Sequence, residues 1–325
     1  MLLGALLVVA ATSVALVYAQ DGSDRTVRLA YVGIVSEASV TPAYSVDFYR
    51  RLGELGWVRG KNLIVEERWA DGHPERMPSL MIDVLRHRVD IIVTSTEIGA
   101  AAARNATHEI PIVGVAFGDP IANGLVESLA RPGGNVTGLS LQSAEGVPGK
   151  CLELIRESLH SASRIAILWN PDLPFHRIQA SEIEKVAIKT GVSLQMVAIH
   201  SQRDFGPAFQ QARKQGQGAI LLADPLTYSH RREVTALAAQ YHVPTIYTVL
   251  DYVPDGGLMA YAGDLGAMYR RAAEYVDKIL RGSKAGEIPI EQSIQLKFVI
   301  NLKAAAALGL TLPEAVLLRA DEVIR

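Results

Sequence analysis

A single cysteine, Cys151, leaves this chain without an intramolecular disulfide, and no cysteine follows the apolar N-terminal stretch where a lipoprotein would need one. Set in a predicted helix with no neighbour to lower its pKa, Cys151 reads as a core or interface thiol. The eight histidines are scattered, with no pair on one helical face, so no metal site is expected. His108-Glu109 begins like a zinc-protease helix, but Pro111 interrupts it and position 112 is not histidine. Also missing are a Walker glycine loop, a dinucleotide-binding glycine pattern after the first strand and a nucleophile elbow; Gly138-Leu139-Ser140-Leu141-Gln142 lacks the second glycine. No nucleophile–base set can be assembled, so the reading is a non-enzyme with no cofactor. Charge of one sign is missing too: 32 Lys and Arg face 34 Asp and Glu, with no basic run to hold a phosphate backbone. Nucleic acid is therefore not expected as a partner, and no helix-turn-helix pattern precedes Val27.

What is present begins with twenty uncharged residues, MLLGALLVVAATSVALVYAQ, followed by polar Asp21 to Arg25. Val17 and Ala19 suit the positions a signal peptidase reads, so residues 1–19 are expected to be a secretory signal and the protein periplasmic. Leu2 to Ala19 is also just long enough to stay as an uncleaved membrane anchor. From Val27 on, short β-branched runs alternate with helical stripes such as Tyr44, Phe48, Leu52 and Leu55. That rhythm predicts α/β architecture with two similar doubly wound parallel-sheet domains. The elements after Leu258 are too few for a third core and must complete the first two. The predicted lobes are 27–141 plus 262–285 and 142–261 plus 286–325, joined by a three-segment hinge as in a clamshell.

The stretch Gly114 to Gln142 leads from one lobe to the next. Asp119-Pro120 predicts a helix start, with Leu125, Val126 and Leu129 on its apolar face and Arg131-Pro132-Gly133-Gly134 ending it. Ligands of open α/β sheets bind beyond the carboxyl ends of the strands. Residues expected there are Ser36 after the first strand, Thr94, Ser95 and Thr96 after the third, Phe117 and Asp119 after the fourth, and Asn170 and Asp224 in the second lobe. Ser95 and Thr96 suit either a helix cap or a carboxylate site; Asp224 suits either a turn before Pro225 or a ligand amine. Tyr228 and Tyr261, with Trp169 and Phe175, suit either core packing or apolar contact with a flat ligand.

Three segments in order, ELGWVRGKNLIVEERWADGHPERMPSL, EIPIVGVAFGDPIANGLVESLARPGGNVTGLS and FVINLKAAAALGLTLPEAVLLRADEVI, resemble the ABC-transporter substrate-binding proteins of the tryptophan/tyrosine-type group. The resemblance spans Val27 to Arg325. It implies the type I periplasmic-binding-protein fold and a secreted protein that captures a small-molecule ligand, of amino acid, amide or aromatic/carboxylate type, between its lobes for an ABC permease. A monomer is the expected state; the alternative is a periplasmic sensor presenting the same ligand to a membrane receptor. The resemblance also places ligand loops at Val35-Ser36, Thr94 to Thr96, Asn170-Pro171 and Asp224. Members often have Gly-Thr-Pro-Ala-Ala where this chain reads Ser95-Thr96-Glu97-Ile98-Gly99, so a carboxylate stands where proline is usual.

Overall fold

The computed structural model describes residues 25–36, 42–140, 146–160, 162–292 and 295–325. The predicted signal segment, Glu37, the boundary at 141/142 and Ile294 lie outside them. In the first half, strands β1 (Val27–Gly33), β2 (Leu63–Trp69), β3 (Ile91–Ser95), β4 (Ile112–Phe117) and β5 (Val136–Ser140) alternate with helices α1 (Pro42–Glu54), α2 (Met77–Leu85) and α3 (Thr96–Ala106). The second half follows with α4 (Val147–Ser158), β6 (Arg164–Trp169), α5 (Pro174–Thr190), β7 (Ser193–Ala198), α6 (Phe205–Gln215) and β8 (Gly218–Leu221). Then come α7 (Pro225–Ser229), α8 (Arg231–Gln240), β9 (Thr245–Tyr247), β10 (Met259–Gly263) and α9 (Leu265–Leu280). The chain closes with β11 (Glu291–Gln292), β12 (Leu296–Asn301), α10 (Leu302–Ala307), α11 (Glu314–Leu317) and β13 (Glu322–Ile324).

Two sheets result, in the orders β11-β5-β4-β3-β1-β2 and β13-β12-β10-β9-β8-β6-β7. All pairings are parallel except β10 with β12. Both faces of each sheet are covered, so β1 is apolar almost throughout. The pleat divides it: Val27, Leu29 and Tyr31 join the core that includes Phe48 and Ala272, whereas Ala30 and Val32 join the one that includes Met77 and Ala100. In the second sheet, Ile165 and Ile167 face the α4 side while Ala166 and Leu168 face α6.

Strand membership takes the chain between the sheets three times, and two local expectations need correction. Residues 120–129 form turns rather than a helix, since Gly124 adopts φ +63° and breaks the run. Leu125 and Val126 are buried nonetheless. The last passage, expected at Gly286, falls after Gln292. Ile288 and Ile290 are buried in the first lobe, Thr137 Oγ1 donates to Ile288 O at 2.8 Å, and β11 pairs with β5.

Candidate functional site

Two neighbouring residues at the first lobe's carboxyl edge have left-handed backbone. Thr96, the first residue of α3, lies at φ +63°, and Ala116 at the end of neighbouring β4 has the same value. A β-branched residue in the left-handed region is a conformational outlier that persists only where its surroundings enforce it. Thr96 Oγ1 is also buried without a hydrogen-bond partner. Ser95 caps α3 through its backbone position but makes no side-chain cap. Glu97 turns to β4, its Oε2 accepting from Gly118 N at 3.0 Å. Ser140, fully buried, donates to Gly118 O at 3.0 Å, so the loop after β4 is held from both sides.

Other expected residues have structural partners. Thr94 is fully buried and donates to Val32 O at 2.7 Å, bracing β3 against β1. Phe117 is fully buried, its ring lying where a side chain at Gly114 would be. Asp119 Oδ1 accepts from Ile121 N and Ala122 N at 3.1 and 2.9 Å, capping the turn. Ser36 is half-buried and lines a surface depression with Trp69, Asp71 and Arg76.

In the second lobe His176, fully buried, ties together the loops that follow β6 and β8. Its Nδ1 accepts from Asn170 N at 2.9 Å, which leaves Nε2 to donate toward Ala223 O at 3.3 Å. Asn170 Oδ1 accepts from Asp172 N at 3.0 Å. Burial lowers the His176 pKa, against an opposing pull from Asp224. The folded protein thus resists a proton that the unfolded chain takes up near pH 6.5. Stability is expected to be complete above that pH and to fall as the pH drops from it toward the folded-state value. Denaturant midpoints across that range should show the loss, and His176→Gln should flatten it; parallel curves would remove His176 as the cause.

Asp224 is buried, and Oδ1 accepts from Thr227 N at 2.7 Å in a reciprocal capping box that opens α7. Tyr261 packs on the second-lobe core with its ring 6.5 Å from Phe298. Tyr228 reaches across, packing on cores of both lobes.

Where the lobes meet, contacts come from elements that follow carboxyl ends of strands. Gly72, after β2, lies against Ser229 of α7. Tyr44 of α1 donates to Asp251 Oδ1 at 2.5 Å, and Tyr228 donates to Asp251 Oδ2. Asp251 is itself buried, just beyond β9. Tyr44 stacks on Tyr269 at 5.5 Å, and the Tyr269 and Tyr31 hydroxyls are 2.9 Å apart. Sequence reasoning missed Tyr44 and Asp251: one follows helical periodicity and the other stands in an unpatterned loop. Their meeting is a tertiary event.

Among the described residues no cluster of His, Cys, Asp and Glu could hold a metal, and no helix is long and apolar enough to cross a membrane. Cys151 is buried, its thiol pKa pushed up to about 12 by burial.

The family described as ABC transporter substrate binding protein matches residues 30–324. A tyrosine-binding protein of Clostridioides difficile is 26% identical over 263 residues, covering 81% of this chain and 75% of that one. A conserved domain protein of Vibrio cholerae has a structure with TM-score 0.84 at 29% identity, covering 92% of this chain and 100% of the other. An ABC domain from Streptococcus pneumonia in complex with L-Trp has TM-score 0.82 at 23% identity, with the same coverage.

Proposed function

This chain belongs to the ABC transporter substrate binding protein family, and from that premise we propose that it works outside the cytoplasm, capturing a small organic solute in the inter-lobe cleft and delivering it to a membrane permease. The solute class is amino acid, amide or aromatic/carboxylate type, in keeping with the tyrosine and L-Trp named for its relatives. The observation that carries this reading is the convergence of Tyr44 from one lobe and Tyr228 from the other on buried Asp251. A solute touching both lobes there draws them together, and its preference for the closed arrangement supplies the population shift that a permease reads. Strained Thr96, with its unpartnered hydroxyl, supports a second polar contact from the first lobe.

A thermal-shift panel of amino acids, their amides, the parent amines and the deaminated acids tests the reading, because a ligand of the folded state raises the melting temperature with concentration. At least one class is expected to shift it. Thr96→Gly should raise the ligand-free melting temperature: strain of about 1–3 kcal/mol is relieved, against an entropic penalty of about 0.5–1 kcal/mol for glycine. The same change should weaken the solute response about tenfold. Silence across the panel, with a cooperative melt, overturns capture of these solute classes; an unchanged response in the variant removes Thr96 from the site.

A further inference from the structure

The chain passes from the second sheet to the first between β10 and α9, and Asp264 stands at that passage as the N-cap of α9. The helix belongs to the first lobe, where Met268 and Ala272 join the core built on Leu29 and Phe48. Between the two lobes the carboxylate oxygens of Asp264 are divided. Oδ1 accepts from Ala267 N at 2.9 Å in the first turn of α9. Oδ2 pairs with Lys297 Nζ at 2.8 Å, and Lys297 lies on β12 of the second sheet, opposite Ala262 of β10. The backbone repeats the tie, with Asp264 N donating to Gln295 O at 3.0 Å. Burial pushes the Asp264 carboxyl up, but Lys297 and the Ala267 N–H outweigh it and hold the pKa below the usual carboxylate range. At neutral pH the pair is therefore fully ionic.

Elsewhere among the described residues, ion pairs stay within one lobe. Arg270 with Asp47 and Arg271 with Glu291 belong to the first; Arg231 with Asp255 and Arg319 with Glu157 belong to the second. Asp264 with Lys297 spans a passage between the sheets. A lobe rotation turns α9 against β12 about this point, and a carboxylate fixed to the helix by its cap then turns away from the lysine. The pair is made here with the lobes touching through Tyr44, Asp251 and Tyr228. We propose that Asp264 and Lys297 form an ionic hinge pin that favours this touching arrangement, so that the balance between open and closed lobes depends on ionic strength. The Lys297 side chain is 35% exposed, so salt reaches the pair and screens it. The bias acts without solute; on the capture reading above, it also adjusts affinity, because a solute that prefers closed lobes binds in proportion to their population.

The test is small-angle X-ray scattering of the purified, solute-free protein at rising salt, beside Lys297→Met, Asp264→Asn and Arg319→Met. Asparagine still caps a helix, so Asp264→Asn removes the charge and keeps the cap, while Arg319→Met removes an ion pair inside the second lobe. Lys297→Met and Asp264→Asn should have a larger radius of gyration than the unmodified protein at low salt. Added salt should enlarge the unmodified protein toward them and leave them unchanged; Arg319→Met should follow the unmodified protein. Loss of the pair should shift the closed-to-open ratio by up to about fivefold, the range for a partly exposed ion pair. L-tryptophan affinity, read by calorimetry, should fall by the same factor. Equal radii and parallel salt responses in all four proteins overturn the hinge pin, whatever the solute. Should a variant not fold, a radius of the unmodified protein that ignores salt overturns it as well. An absent L-tryptophan response counts against the capture reading alone, because the scattering decides the hinge.

Discussion

Alanine at Gly138 is expected to destabilise the protein by about 3–5 kcal/mol, a large part of the 5–15 kcal/mol typical of a folded chain. Gly138 has φ +148°, and a Cβ there would sit 2.0 Å from Gly114 O and 2.8 Å from Gly114 N and C. These are backbone atoms of the paired strand, so no rotamer change relieves the clash; β4 and β5 would have to separate. They pair Gly114 with Gly138 just before the register shifts toward Phe117 and Ser140. The measurement is the denaturant midpoint of Gly138→Ala against Gly134→Ala. The latter has open space, no left-handed backbone requirement, and an expected change within about 0.5 kcal/mol. Equal midpoints for the two variants would contradict the argument.

Phe117→Ala is expected to cost about 3–5 kcal/mol, the range for removing a fully buried aromatic side chain. Its ring occupies the space over Gly114, where an added Cβ would lie 1.9 Å from Cζ, and it packs with Val136, Leu125 and Ile290 in the outer core of the first lobe. Phe117→Leu should lose less and should bind the solute as the unmodified protein does. If instead Phe117→Ala kept its stability and lost solute binding, the ring would belong to the ligand site, as the sequence alone suggests.

The contrast between Phe117 and Asp251 explains how much of the candidate site was legible in advance. Residues beyond the ends of parallel strands can be located from the alternation of apolar runs, which places Ser95, Thr96, Asn170 and Asp224 at those ends. The direction of each side chain depends on a register shift, a left-handed residue or a capping bond, and none of these has a sequence period. Thr94 therefore braces β3, Asp224 caps α7 and Asp119 holds a turn. The same limit applies to the predicted helix at 120–129. Its apolar residues are buried as the pattern requires, but Gly124 lets turns achieve that burial.

By itself the sequence determined the α/β class, the two parallel-dominated sheets and the family, because apolar periodicity and turn residues are local and recur in every βα unit. Only the tertiary structure decided that Glu291–Gln292 closes the first sheet and that Asp251 is shared by Tyr44 and Tyr228. A two-residue strand has no periodicity to read, and a contact spanning 207 residues of chain exists only once both lobes have folded and met.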